Sequence, residues 1–199
     1  ARRGRSSISF QYKHNAGQET RIDPSVSNIV DIYMLERTYD NLFRIWLQDG
    51  GVKPLTSTSD QLRINYSGTL NPLKSLSDQI VYHPVKYKIL FGANADEQLQ
   101  ATFKVVKNTK TNVTDAVIKT RVIAAVNEFF ALDNWDFGDT FYFTELAAYV
   151  HNQLAPDLLT AVIVPNQAGQ GFGSLFQINS ASDEIFISGA TVDDVSIIT

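Results

Sequence analysis

The feature that most constrains the fold of this chain is a single helical stripe set among strand-like segments. Between Thr114 and Ala131 the apolar side chains Ile118, Val122, Ala125, Val126 and Phe129 recur at the spacing of one helix face. Thr114 can cap that helix and Asp115 suits its positive end. A second helix is expected from Thr144 to about Leu154, with Thr144 as cap, Glu145 in the first turn and Phe143 against Ala148 as a hydrophobic staple; Pro156 marks its end. Around these two helices (about 114–131 and 144–154) lie segments of period two or of β-branched and aromatic residues: Ser6–Lys13, Ile29–Leu35, Gln79–Phe91, Leu99–Lys107, Leu158–Val164, Leu175–Ile178, Glu184–Ser188 and Val195–Ile198. Strands precede, separate and follow the helices without a βαβ beat, so the expected class is α+β with a mixed or mostly antiparallel sheet and short connecting helices.

Local signals refine this. The stretch His14–Asn28 reads as a loop. Asp40 stands where a cap would precede Leu42, Phe43, Ile45, Trp46 and Leu47, and Asp49-Gly50-Gly51 closes that short helix. Ser59 or Asp60 starts another, with Gly68 and Asn71-Pro72 breaking up the region after it. Pro84 bends the Gln79–Phe91 segment or puts it at an edge. Gly92–Asp96 is a turn, so Gln79–Phe91 and Leu99–Lys107 are expected to pair antiparallel, with Ala101, Phe103 and Val105 facing one way. The segment Leu158–Val164 reads as a buried strand. The chain is expected to be one structural fragment of a longer protein, residues 1–199, with a division into about 1–75 and 76–199 as the alternative.

Charge is distributed unevenly. All 17 basic residues lie at or before Arg121, where they meet 11 acidic ones for a balance of +6; the remaining 78 residues carry 10 acidic groups and no basic one. Two readings stay open: the halves neutralise each other within the fold, or the acidic part meets a basic surface on another subunit. Nucleic acid suits neither, because the one basic cluster, Arg2, Arg3 and Arg5, has no interleaved aromatics to stack bases. No run of about 18 apolar residues is present to span a membrane.

Chemistry-bearing motifs are sparse. With no cysteine there is no disulfide framework, thiolate metal site or cysteine nucleophile. His14, His83 and His151 stand apart, without a second histidine at ligand spacing. Asp133–Asp139 resembles a calcium loop only in acidity, since Trp135 and Phe137 occupy the third and fifth ligand positions; a turn with both rings in the core is the expectation. Gly169-Gln170-Gly171-Phe172-Gly173 is not the dinucleotide fingerprint and leads into a strand, so it reads as a surface hairpin. No metal, cofactor or catalytic residue is expected, and the chain is not read as an enzyme. Candidate contact residues are Gly169, Gly171, Phe172 and Gly173 in that loop, with Asp183, Glu184, Asp193 and Asp194 in the acidic end.

A succession of short words carries a family resemblance. Trp135-Asp136-Phe137-Gly138-Asp139-Thr140-Phe141-Tyr142-Phe143-Thr144-Glu145-Leu146-Ala147-Ala148-Tyr149-Val150-His151 is followed by Ala161–Pro165, Phe172–Phe176 and Asp183–Ala190, and preceded by Thr20–Pro24, Asn28–Asp31, Leu90–Gly92 and Leu99–Val106. This order resembles the C-terminal part of the large baseplate wedge subunits of T-even-type contractile-tailed bacteriophages, within the baseplate J-like group. The resemblance implies a structural virion protein of the tail baseplate, assembled in the host cytoplasm. It further implies pairing with a second copy, contacts with other wedge proteins and a ring around a hub, with no catalytic residue to carry over. Two alternatives belong to other classes. A carbohydrate- or receptor-binding module would use aromatics such as Trp46, Tyr66 and Tyr82, and a wall hydrolase would need convergent carboxylates.

Overall fold

The computed structural model describes residues 29–73, 79–167 and 176–198. Its elements, in chain order, are β1 (Ile29–Met34), α1 (Arg37–Asp49), α2 (Ser59–Leu70), β2 (Gln79–Pro84), β3 (Lys86–Leu90), β4 (Ala101–Lys107), α3 (Asp115–Phe129), β5 (Thr140–Tyr142), α4 (Phe143–Leu154), β6 (Leu158–Pro165), β7 (Gln177–Asn179), β8 (Glu184–Ser188) and β9 (Val195–Ile198), with short 3₁₀ turns between some of them. The expected strand Ser6–Lys13, the loop His14–Asn28, and Gly169, Gly171, Phe172 and Gly173 lie outside the described residues.

The class is α+β with mixed pairing. The lean toward antiparallel pairing is corrected: β1–β2, β3–β8 and β4–β9 are parallel, and β4–β6 and β5–β7 antiparallel. Corrected too is the hairpin of Gln79–Phe91 with Leu99–Lys107. Pro84 splits the first segment, and its halves take different partners, β1 and β8. Phe91 (φ 64) and Gly92 (φ 68) follow β3 in left-handed conformation, the Phe91 amide donates to the Leu99 carbonyl at 3.0 Å, and β4 pairs with β6 and β9 rather than with β3.

The helices form where caps and stripes agree. Thr114 Oγ1 accepts from the Val117 amide, and Ile118, Val122, Ala125 and Val126 are the buried face of α3. In α2, Thr58 and Gln61 form a reciprocal capping box, and buried Leu62 and Leu70 hold both ends, so the helix runs through Gly68. Two starts differ from expectation. Helix α1 begins after Glu36, which leaves Asp40 inside its first turn. Helix α4 begins at Phe143, directly out of β5, and Thr144 does not cap it. Instead the Phe143 amide donates to the carbonyl of Phe176, 3.1 Å away, which satisfies one of the exposed helix-start donors from outside the helix.

The main core fills the space between α3, α4 and the strands, with fully buried Phe91, Phe103, Phe141 and Phe186 at its centre. Trp135 stacks on Phe130 at 5.4 Å, and its Nε1 donates to the Phe129 carbonyl at 2.8 Å. The acidic turn therefore plugs the core with Trp135, and partly buried Phe137 packs there as well. A smaller core of Leu62, Leu70 and Tyr82, flanked by Ile32, Met34, Tyr66 and Ile80, joins α2 to β1 and β2 and draws on residues from both sides of residue 75.

Candidate interaction surfaces

The acidic candidates separate by what each carboxylate touches. Asp183 and Glu184 open β8, which runs parallel to β3, and the register sets Glu184 opposite Lys86. Lys86 Nζ lies 3.6 Å from Asp183 and 3.5 Å from Glu184, and Lys88 Nζ lies 3.5 Å from the other oxygen of Glu184. Glu184 also accepts from the Ala181 amide at 3.0 Å. Farther along, Arg121 donates to Asp157 at 2.8 Å, while Thr111 Oγ1 donates to the other oxygen of that carboxylate. Each of these pairs joins a base of the first 121 residues to an acid of the last 78, so part of the charge asymmetry is neutralised inside the fold.

At the other acidic pair, Asp194 accepts from the Thr191 amide (2.8 Å) and hydroxyl (3.1 Å), closing a capping box around the 3₁₀ turn Val192–Asp194. Asp193 points outward and is exposed. Thus Glu184 and Asp194 work chiefly to hold local structure. Asp193 is the acid of this group that a partner can reach without unmaking a cap or an ion pair to Lys86 or Lys88.

Burial alone would raise the Glu184 pKa, but the Ala181 amide and the ammonium groups of Lys88 and Lys86 outweigh it and hold the carboxyl below its ordinary value. Tyr87 is shifted the other way. Burial and its hydrogen bond to Asp40 Oδ1, 2.5 Å away, raise the phenol well above 10.0. Arg44 Nε donates to the same oxygen at 2.6 Å, and this cluster pins α1 to β3. The signs give opposite pH limbs. Stability from Glu184 is present above about 4.5 and is lost as pH falls through its depressed value; stability from Tyr87 is complete below 10.0 and is lost as pH rises through its raised one. Thermal melts across pH are expected to show both limbs, with Glu184→Gln flattening the acid one and Tyr87→Phe the alkaline one. An unchanged limb in either variant overturns that assignment.

The three-stranded sheet β6-β4-β9 offers a different kind of surface. Alternate residues Ala101, Phe103 and Val105 of β4 are buried against the core. The opposite face carries Thr102, Lys104 and Val106, with Val164, Val162 and Thr160 of β6 across from them and Ser196 and Ile198 of β9 on the other side. Strand β6, expected to be buried, is an edge strand among the described residues. Leu158 is buried, but Leu159 and Val162 are 58% and 51% exposed. A largely apolar run is the pattern of a strand covered on both faces, and here, among the described residues, no strand pairs with its outer side, and Leu159 and Val162 are open to solvent. No sequence signal separates those two cases.

Aromatic and histidine candidates are placed plainly. Tyr82 lies in the smaller core, 3% exposed. Tyr66 donates to Glu36, and Trp46 packs on Phe43 beneath Lys53. His83 lies 3.0 Å from Asp31 and stacks on Tyr33. Among the described residues no group of three or more histidine, aspartate or glutamate side chains is arranged to hold a metal ion, and no helix is long and apolar enough to cross a membrane. A depression of about 380 Å³ between α3 and the end of α4 is lined by Arg121, Glu128, Gln153 and Asp157 among others, and its arginine is already bound to its aspartate. In comparison with known proteins, no family model matches the chain and no curated protein matches it.

Proposed function

We propose that this chain is a structural docking module of a contractile phage tail baseplate wedge, joining a second copy of itself and neighbouring wedge proteins in a ring. The observation that carries this reading is the sheet β6-β4-β9. Its outer face and edges display Leu159, Val162 and Ile198 to solvent among the described residues. Such edges are templates for pairing with another chain. The resemblance of the words Trp135–His151, Leu90–Gly92 and Asp183–Ala190 to the wedge subunits supplies the setting, the virion tail.

Sedimentation and light scattering of the purified chain test the reading. A dimer or larger species is expected, with an interface above about 1,000 Å². A strict monomer that fails to bind wedge proteins overturns it. Within the same reading Asp193 is a contact residue, so Asp193→Lys is expected to weaken assembly while leaving the melting temperature nearly unchanged, as exposed substitutions do. Asp194→Lys, by removing a cap, is expected to lower the melting temperature itself. Equal melting temperatures for the two variants count against this division of roles.

A further inference from the structure

We infer that the outer face of the sheet β6-β4-β9 docks a different protein, one that brings a carboxylate set among apolar side chains onto the ammonium group of Lys104. The inference rests on the docking role proposed above and names the partner of this face by its chemistry.

Lys104 stands at the centre of the face. The register places Val162 of β6 on one side of it and Ser196 of β9 on the other, with Thr102 and Val106 before and after it along β4. Lys104, Val162 and Ile198 are exposed, and Val106 and Val164 are half-buried. The open face of a sheet covered on one side ordinarily carries polar residues. Here three valines and an isoleucine surround one lysine, and exposed apolar groups gathered in one place mark a contact surface.

Lys104 also differs from the other strand lysines. Lys86 lies against Asp183 and Glu184, Lys88 against Glu184, and Lys107 Nζ is 2.8 Å from Asp115. Among the described residues Lys104 has no ion pair or hydrogen bond. None can come from its own sheet, because β4, β6 and β9 contain no acidic residue.

This lack of acid decides what can cover the face. Covering it strips water from the ammonium group, and a charge left unpaired in a dry contact is strongly unfavourable. The covering surface must therefore supply the counter-charge. A second copy laid face to face brings a second Lys104 and no acid from its own three strands. A different protein with an aspartate or glutamate inside an apolar patch meets the requirement. The aliphatic side chains around the pair then exclude water from it and strengthen it.

The test uses the full chain, labelled with nitrogen-15, and two soluble cyclic β-hairpin peptides. One presents valines around a central glutamate on one face, and its twin presents the same valines around a lysine. The glutamate peptide is expected to shift the amide signals of residues 102–106, 160–164 and 196–198 saturably. It is expected to bind about tenfold or more tightly than its twin. Lys104→Glu, an exposed substitution that breaks no contact, is expected to keep the parent's melting temperature and to invert the preference. No saturable shift on this face, equal affinity for the two peptides, or a preference that Lys104→Glu leaves in place overturns the inference; if sedimentation still finds the parent self-associated, the docking role stands without it. Self-association that Lys104→Glu changes by about tenfold or more puts a second copy on the face and overturns the acidic partner. A strictly monomeric parent that binds no wedge protein overturns the docking role itself, whatever the peptides do.

Discussion

Gly92→Ala is expected to cost at least about 4 kcal/mol, enough to leave a domain of ordinary stability largely unfolded on mild warming. Gly92 has φ 68, which an L side chain adopts only under strain, and a Cβ built there would lie 1.9 Å from the carbonyl oxygen of Gly189 and 2.6 Å from its carbonyl carbon. Neither atom can swing aside as a side-chain tip can. The Gly189 amide donates to the Leu90 carbonyl at 2.8 Å, immediately beyond the last β3–β8 pair, Leu90 with Ser188. Gly189 is hemmed in from its own side by Ile89 Cγ2 and the Phe91 carbonyl, at 2.8 and 3.0 Å from where its Cβ would be. Relief at Gly92 therefore requires the two backbones to part, and the β3–β8 ladder parts with them. Gly50→Ala is the control. It has φ 75 with ψ −159, a region essentially reserved for glycine, and no heavy atom within 4 Å of the added carbon, so only conformational strain of roughly 1–3 kcal/mol is expected. Urea unfolding of the two variants separates strain from collision. Losses within about 1 kcal/mol of each other would show that the crossing at Gly92 yields without cost.

That crossing shows where sequence reading stops. Leu90-Phe91-Gly92 and Ser188-Gly189-Ala190 are both legible as words, but a chain read in order cannot say that they touch. What the sequence does carry is local. Thr114 and the stripe behind it place α3 to within a residue or two, because cap and periodicity lie in the same short stretch. The bounds of β8 and β9 follow from their β-branched runs for the same reason. Pairing is not local. Strand β3 pairs with the distant β8 and not with the nearby β4, and no short stretch of sequence around β3 distinguishes the two partners. The start of α4 failed similarly, since its first donor is met by Phe176, more than thirty residues away.

The candidate surface divides along the same line. The one-sided charge of the chain was visible in composition, yet only the β3–β8 register shows that Lys86 and Lys88 meet Asp183 and Glu184. The role of Asp194 was within reach, because Thr191 and Asp194 have the spacing of a cap. The open side of β6 was not. Being an edge is a property of the whole sheet, and the residues that make β6 sticky are the same ones that would make it a core strand.

Phe141→Ala is the second large loss, expected at about 3–5 kcal/mol. Phe141 is fully buried, and its ring lies 4.9 Å from Phe143, 5.3 Å from Phe130 and 6.0–6.2 Å from Phe91, Phe129, Trp135 and Phe186. Removing it takes the common neighbour from six rings, and rings held by one another's edges collapse poorly into the space. Among the described residues strand β5 is three residues long and pairs only with the three of β7, so little else holds it. Phe141→Leu, which keeps much of the volume, is expected to lose less than half as much. If the alanine variant loses under about 1.5 kcal/mol, the cluster is looser than its geometry indicates. The consequence for assembly is specific. Strand β5 runs straight into α4, and α4 packs on β6, so a defect at Phe141 reaches the exposed face of the sheet β6-β4-β9 only by loosening the element beneath it. Phe141→Ala should therefore weaken self-association only as the temperature approaches its lowered melting point, and leave it unchanged well below that point.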